Sequence, residues 1–115
     1  MSSFESKIPY KNSSVLKDIE VIREIISSDA KVKIFLEVYK NTKPNIDNWI
    51  SGYKLSKVSG LPFNSTYHFV DKKIEFGVFQ RLAQVRGIKR VRITEYGIRI
   101  FEKIKSIIPI EIKLL

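Results

Sequence analysis

Between Ser51 and Pro62 the chain has few ways to continue, because a short helical pattern is cut off by Gly60-Leu61-Pro62. Glycine adopts the left-handed conformation that ends a helix, and a proline two residues later blocks its resumption. Ser51 offers an N-cap to the pattern over residues 52–59, and Leu55 and Val58 give it an inward side. A second helical pattern, TYHFVDKKIEF, restarts at once behind Asn64 or Ser65 as cap and stops at Gly77. If Phe69, Val70 and Ile74 pack inward, its outward positions are Asn64, Ser65, Thr66, His68 and Lys72. Two strand-like runs follow, VFQRLAQV and KRVRIT, with a turn beginning at Arg86-Gly87. In the second run Val91 and Ile93 alternate with Arg90 and Arg92, so one face is apolar and the other cationic. This order predicts an α+β fold, mostly helical, with a small β-hairpin.

The flanks read as support for that block. Residues 1–12 lack periodicity and form a flexible arm. Ser13-Ser14 then caps VLKDIEVIREIISS, an N-terminal helix over 13–27. Its stripe of Val15, Ile19, Ile22 and Ile26, widened by Leu16 and Ile25, serves either the core or a dimer interface. Ser28-Asp29 caps AKVKIFLEVYKNT, with Ile34, Phe35, Val38 and Tyr39 inward and Pro44 as its stop. IDNWIS suits a small strand in which Trp49 is a core or edge anchor. Thr94 caps a last helix with a stripe of Ile98, Phe101 and Ile104, closed by Pro109. The tail over 109–115 adds a short strand or packs at a dimer seam. Residues 28–108 would then be the main domain.

With 115 residues, 43% of them hydrophobic and 29% charged, the chain has the composition of one soluble globular domain. No apolar run is long enough to span a bilayer, and MSSFESKIPYKN has no secretory character. The absence of cysteine excludes disulfides and thiolate metal sites. A cytoplasmic location is expected, or the host cell interior for a virus-encoded chain. The single histidine excludes a multi-histidine metal site, and none of the phosphate-cradling, zinc-protease or nucleophile-elbow motifs is present. Neither enzyme activity nor a cofactor is expected.

The net charge of +9 is concentrated rather than scattered. Residues 1–60 hold ten Lys+Arg against seven Asp+Glu, and residues 61–115 hold eleven against five. Between Gln80 and Thr94 lie Arg81, Arg86, Lys89, Arg90 and Arg92 and no acid. Arginine's planar fork makes bidentate phosphate contacts that lysine cannot match. Like charges crowded together without acids repel one another unless a polyanion offsets them.

From Gly52 to Gly97 the chain resembles the DNA-binding core of winged helix-turn-helix regulators of the PadR, MarR and ArsR kind. GYKLSKVSGLP resembles the second helix and turn, and NSTYHFVDKKIEFGVF the recognition helix and its exit. RLAQVRGIKRVRIT resembles the wing, and ITEYGIRIFEKI the start of the helix after it. Ile74 sits three residues before Gly77 where many relatives keep four, and the wing is short. The resemblance extends to proteins of archaeal or archaeal-virus source. The resemblance implies a dimeric, sequence-specific transcriptional regulator on double-stranded DNA, with half-sites about 34 Å apart. Asn64 would read adenine or cap its helix, Ser65 would bind phosphate or cap, Thr66 would bind phosphate, His68 would face the groove, and Lys72 would bind phosphate or guanine. Tyr53 and Lys54 would touch the flanking phosphate, and Arg86, Lys89, Arg90 and Arg92 the backbone or minor groove. The competing readings are a winged-helix adaptor in a protein assembly and a non-specific architectural DNA-binding protein. The effector, if any, is not legible.

Overall fold

Helix α1 ends at residue 25 in a computed structural model that describes residues 15–45, 47–82 and 89–107. The expected arm, the Ser13-Ser14 cap, Arg86-Gly87, Pro109 and the tail lie outside those residues. After α1 come α2 (Asp29–Thr42), β1 (Ile50–Ser51), α3 (Gly52–Ser59), α4 (Phe63–Glu75), β2 (Phe79–Arg81), β3 (Arg90–Ile93) and α5 (Glu95–Ile107). The strands form one antiparallel sheet in the order β1-β3-β2, with Ile50 opposite Val91 and Phe79 opposite Ile93. No described helix is long and apolar enough to cross a membrane.

The caps explain most of the boundaries. The Ser28 hydroxyl accepts the Lys31 N–H at 3.2 Å, and Ser51 accepts that of Lys54 at 3.2 Å. Thr94 Oγ1 accepts the Gly97 N–H at 3.0 Å at the start of α5. Gly60 ends α3 at φ +77°, as its position before Leu61-Pro62 predicts. Ser56 and Ser59 then stitch the turn: Ser56 donates to the Leu61 carbonyl at 2.6 Å, and Ser59 accepts the Leu61 N–H at 3.2 Å.

The core runs between α2, the sheet and α5. Phe35 stacks on Phe79 with ring centroids 6.1 Å apart, and Tyr39 lies on Phe101 at 3.6 Å. Buried Thr42 joins α2 to the sheet by donating to the Val38 carbonyl and accepting the Ile93 N–H. Val91 and Ile93 are buried, whereas Arg90 is exposed, which follows the expected alternation.

Helix α1 divides its stripe. Val21, Ile22 and Ile25 enter the core, while Val15, Leu16, Ile19 and Ile26 stay exposed. Ile22, expected with the interface residues, is therefore a core residue. The phase of the buried stripe is set by Val21 and Ile25, which share its side of the helix. Polar contacts fix this helix further. Asp18 accepts from the Tyr96 hydroxyl and from Lys103 at 2.9 Å, tying α1 to α5. Val58 also departs from expectation: it is exposed on the rim beside α2 because Leu55 and Gly52 take the inward side of α3.

Candidate nucleic-acid interface

Helix α4 starts earlier than its polar residues suggest. Its N-cap is Pro62, no side chain caps it, and Asn64 and Ser65 lie within its first turn. Neither side chain has a hydrogen-bond partner among the described residues, so the capping roles expected for them are not used. Both are exposed, as is His68. Thr66 is the clear correction. It is 0% exposed and falls in the buried stripe Thr66, Phe69, Val70 and Lys73, a spacing of three, four and seven residues. Its hydroxyl is buried without a partner among the described residues, so it cannot reach a phosphate.

Lys73, though a lysine ordinarily keeps its ammonium in solvent, is also 0% exposed. Its ammonium donates to Glu24 of α1 at 2.5 Å and lies 4.8 Å and 5.1 Å from the ring centroids of Phe69 and Phe76. Burial pulls the Lys73 ammonium below the ordinary lysine value even against the opposing pull of Glu24. At Glu24 burial pushes upward, but the hydrogen bond and charge of Lys73 win and hold the carboxyl below its usual range. This pair fixes the back of α4 to α1.

The front of α4 has two flanks. On one, Asn64, Ser65, His68 and Lys72 line a cavity of about 670 Å³ against Glu24, Ser28 and Lys31 at the α1–α2 corner. On the other, Phe63, Tyr67 and Asp71 face α3 and the base of the wing. The Tyr67 ring lies so close to Gly52 that a Cβ there would come within 2.1 Å of it, which lets α3 and α4 pack tightly at their first turns. Exposed Tyr53 stands 5.4 Å from Phe63, ring centroid to centroid, and Phe63 meets Tyr67 edge-on at 5.6 Å.

The wing base joins this second flank. The Lys89 carbonyl accepts the Gly52 N–H at 2.9 Å, and its ammonium lies 5.1 Å from the centroid of the Tyr67 ring. Lys89 also forms an ion pair with Asp71. The cationic segment thus has an acid beside it, supplied by α4 rather than by its own sequence neighbours. Arg90 is exposed and lines a groove with Lys54, Asn48 and Trp49. Arg92 lies against the same tryptophan: its guanidinium stacks over Trp49 at 4.8 Å and donates to Gln80 at 3.0 Å. The structure therefore brings Tyr53, Lys54, Lys89 and Arg90 around the first turns of α3 and α4. It places Asn64, Ser65, His68 and Lys72 on the adjoining flank. Sequence reasoning missed Phe63, Tyr67 and Asp71. Glycine at position 52 before an aromatic-rich helix was the available signal for the first two.

A helix-turn-helix of α3 and α4, followed by a β-hairpin that packs beside α4, is the winged helix-turn-helix fold. No family model and no curated protein matches the chain. Among solved structures it is similar to a protein from Archaeoglobus fulgidus, AF1382, at 23% identity and TM-score 0.58, over 69% of this chain and 84% of that one. It is also similar to a MarR variant from E. coli complexed with operator DNA, at 18% identity and TM-score 0.58, over 91% and 77% of the two chains. A third is the homodimeric winged helix-turn-helix DNA-binding domain of a possible ArsR-family transcriptional regulator from Mycobacterium bovis. It shows 9% identity and TM-score 0.58 over 83% and 82%. At these identities the likeness is one of fold.

Proposed function

We propose that this chain binds double-stranded DNA as a dimeric transcriptional regulator. The N-terminal half of α4 enters the major groove, where Asn64 and His68 reach base edges and Ser65 reaches the adjoining phosphate. Asp71 and Glu75, in its C-terminal half, stay clear of the phosphates. Tyr53 and Lys54 contact the backbone on the α3 side, Lys72 on the opposite flank, and Lys89, Arg90 and Arg86 on the wing side. The observation that supports this reading best is the seat of Lys89 over Tyr67, which sets the base of the cationic wing beside the exposed start of α4. Two similar proteins point the same way: the E. coli MarR variant is complexed with operator DNA, and the Mycobacterium bovis domain is a homodimeric DNA-binding domain. The exposed Val15, Ile19 and Ile26 of α1 supply an apolar surface for a second copy. A cytoplasmic regulator without enzymatic activity follows from the same reading.

The test is a mobility shift with random-sequence duplex at low salt, followed by sequencing of the retained fragments. Retardation is expected, with enrichment of two-fold-symmetric sites whose halves lie about one helical turn apart. No retardation would overturn DNA binding. Retardation without any enriched sequence would leave an architectural protein in place of a regulator.

A further inference from the structure

We infer that Phe63 and the ring of Tyr53, whose hydroxyl meets the backbone, form an aromatic patch that reads the 5-methyl group of thymine in the major groove. This rests on the duplex-binding reading above and adds to it the chemistry of the base recognised.

Phe63 is the first residue of α4 and is 43% exposed, and Tyr53, in the first turn of α3, is 51% exposed. Folding does not require either ring at the surface, because the core is already filled by Phe35, Phe69, Phe79 and Phe101. The patch is nonetheless built. The absence of a side chain at Gly52 admits the Tyr67 ring, Tyr67 meets Phe63 edge-on, and Phe63 lies beside Tyr53. Cations lie over two of the rings: Lys57 is 4.7 Å from the Tyr53 centroid and Lys89 is 5.1 Å from that of Tyr67. A solvent-facing apolar centre with a cationic rim fits a polyanion that presents an apolar group. In the major groove that group is the thymine methyl, since every other base-edge feature there is a hydrogen-bond donor or acceptor. The location agrees, because the first residues of a recognition helix are those that reach base edges.

The test is a set of anisotropy titrations of the full chain against four duplexes. These are alternating A·T, the same duplex with uracil for thymine, alternating G·C, and the same duplex with 5-methylcytosine. Uracil removes only the methyl, and 5-methylcytosine restores one in a G·C context. The wild type should prefer A·T over A·U by about fourfold for each methyl covered, and the methylated G·C duplex over the plain one. Phe63→Ala should bind A·T and A·U alike and keep the wild-type salt slope, since no phosphate contact is lost. Equal wild-type affinity for A·T and A·U would overturn the inference and leave DNA binding standing. A methyl preference that survives in both Phe63→Ala and Tyr53→Ala would also overturn it. Binding to none of the four at low salt would overturn both readings.

Discussion

Replacing Glu24 by glutamine should destabilise the fold far more than replacing its partner Lys73 by methionine. The Lys73 ammonium is fully buried, and its one acidic contact among the described residues is the Glu24 carboxylate, whose side chain is 26% exposed. At about 4 Å between charge centres and an effective dielectric near 20, their attraction is about 4 kcal/mol. Stripping water from the ammonium costs several kcal/mol, so the pair as a whole contributes little net stability. Glu24→Gln removes the attraction and leaves the cost. The ammonium can escape by shedding its proton, which limits the penalty at pH 7 to about 4.6 kcal/mol, or 1.36 kcal/mol for each of about 3.4 pK units. Screening by water around the part-exposed Glu24 lowers the expected loss to about 2–4 kcal/mol. Lys73→Met removes charge and desolvation cost together and should lie within about 1 kcal/mol of the wild type, on either side.

The assay is urea unfolding of both single variants and the double variant at pH 7 and pH 9. Lys73 has a folded pKa below its unfolded value, so between the two the unfolded chain binds more protons and stability rises with pH. In Glu24→Gln the depression deepens and that window opens at lower pH, so the gap to the wild type should narrow by up to about 1.4 kcal/mol per pH unit. The reasoning is wrong if Glu24→Gln matches the wild type at pH 7, or if its deficit does not change with pH.

Other outcomes follow from single contacts. Thr66→Val keeps the shape of a buried side chain and removes an unpartnered hydroxyl. It should raise stability by about 1 kcal/mol, seen as a higher urea midpoint at constant slope, with DNA affinity unchanged. A loss of affinity would return Thr66 to the interface. Asp71→Asn releases Lys89 from its ion pair. Affinity for duplex DNA, read by anisotropy, should rise as the Lys89 ammonium loses the carboxylate that competes with the phosphate it contacts. At acid pH, burial raises Asp18, but the Tyr96 hydroxyl and Lys103 outweigh it and hold the carboxyl below its ordinary value. Its contribution is therefore present above the unfolded carboxylate value and lost as pH falls through the folded one, and Asp18→Asn should flatten that acid limb of stability.

The helix-turn-helix was legible because its determinants are local. Ser28, Ser51 and Thr94 cap the helices they precede, Gly60 is left-handed, and Val91 and Ile93 alternate inward between arginines. What escaped depends on partners far along the chain. Lysine ordinarily signals solvent, and Lys73 is buried because folding brings Glu24 to it across 49 residues. The acid beside the wing comes from α4, 18 residues before Lys89. Thr66 is a different kind of error, since its spacing to Phe69, Val70 and Lys73 marks the buried stripe once Lys73 is admitted to it. A polar residue at a helix start ordinarily points outward. The start of α4 itself was displaced because Pro62, without a capping side chain, does the work expected of Asn64 or Ser65.

The claim on which the rest depends is that the start of α4 and the base of the wing form one surface for duplex DNA. It is tested most directly by measuring affinity for one duplex across a salt series, for the wild type and for Lys54→Glu and Arg90→Glu. The wild type should lose affinity steeply and linearly on a log–log plot, and each charge reversal should weaken binding to every sequence and lower the slope by about one. Wild-type affinity that ignores salt, or charge reversals at both positions that leave affinity and slope untouched, would contradict it.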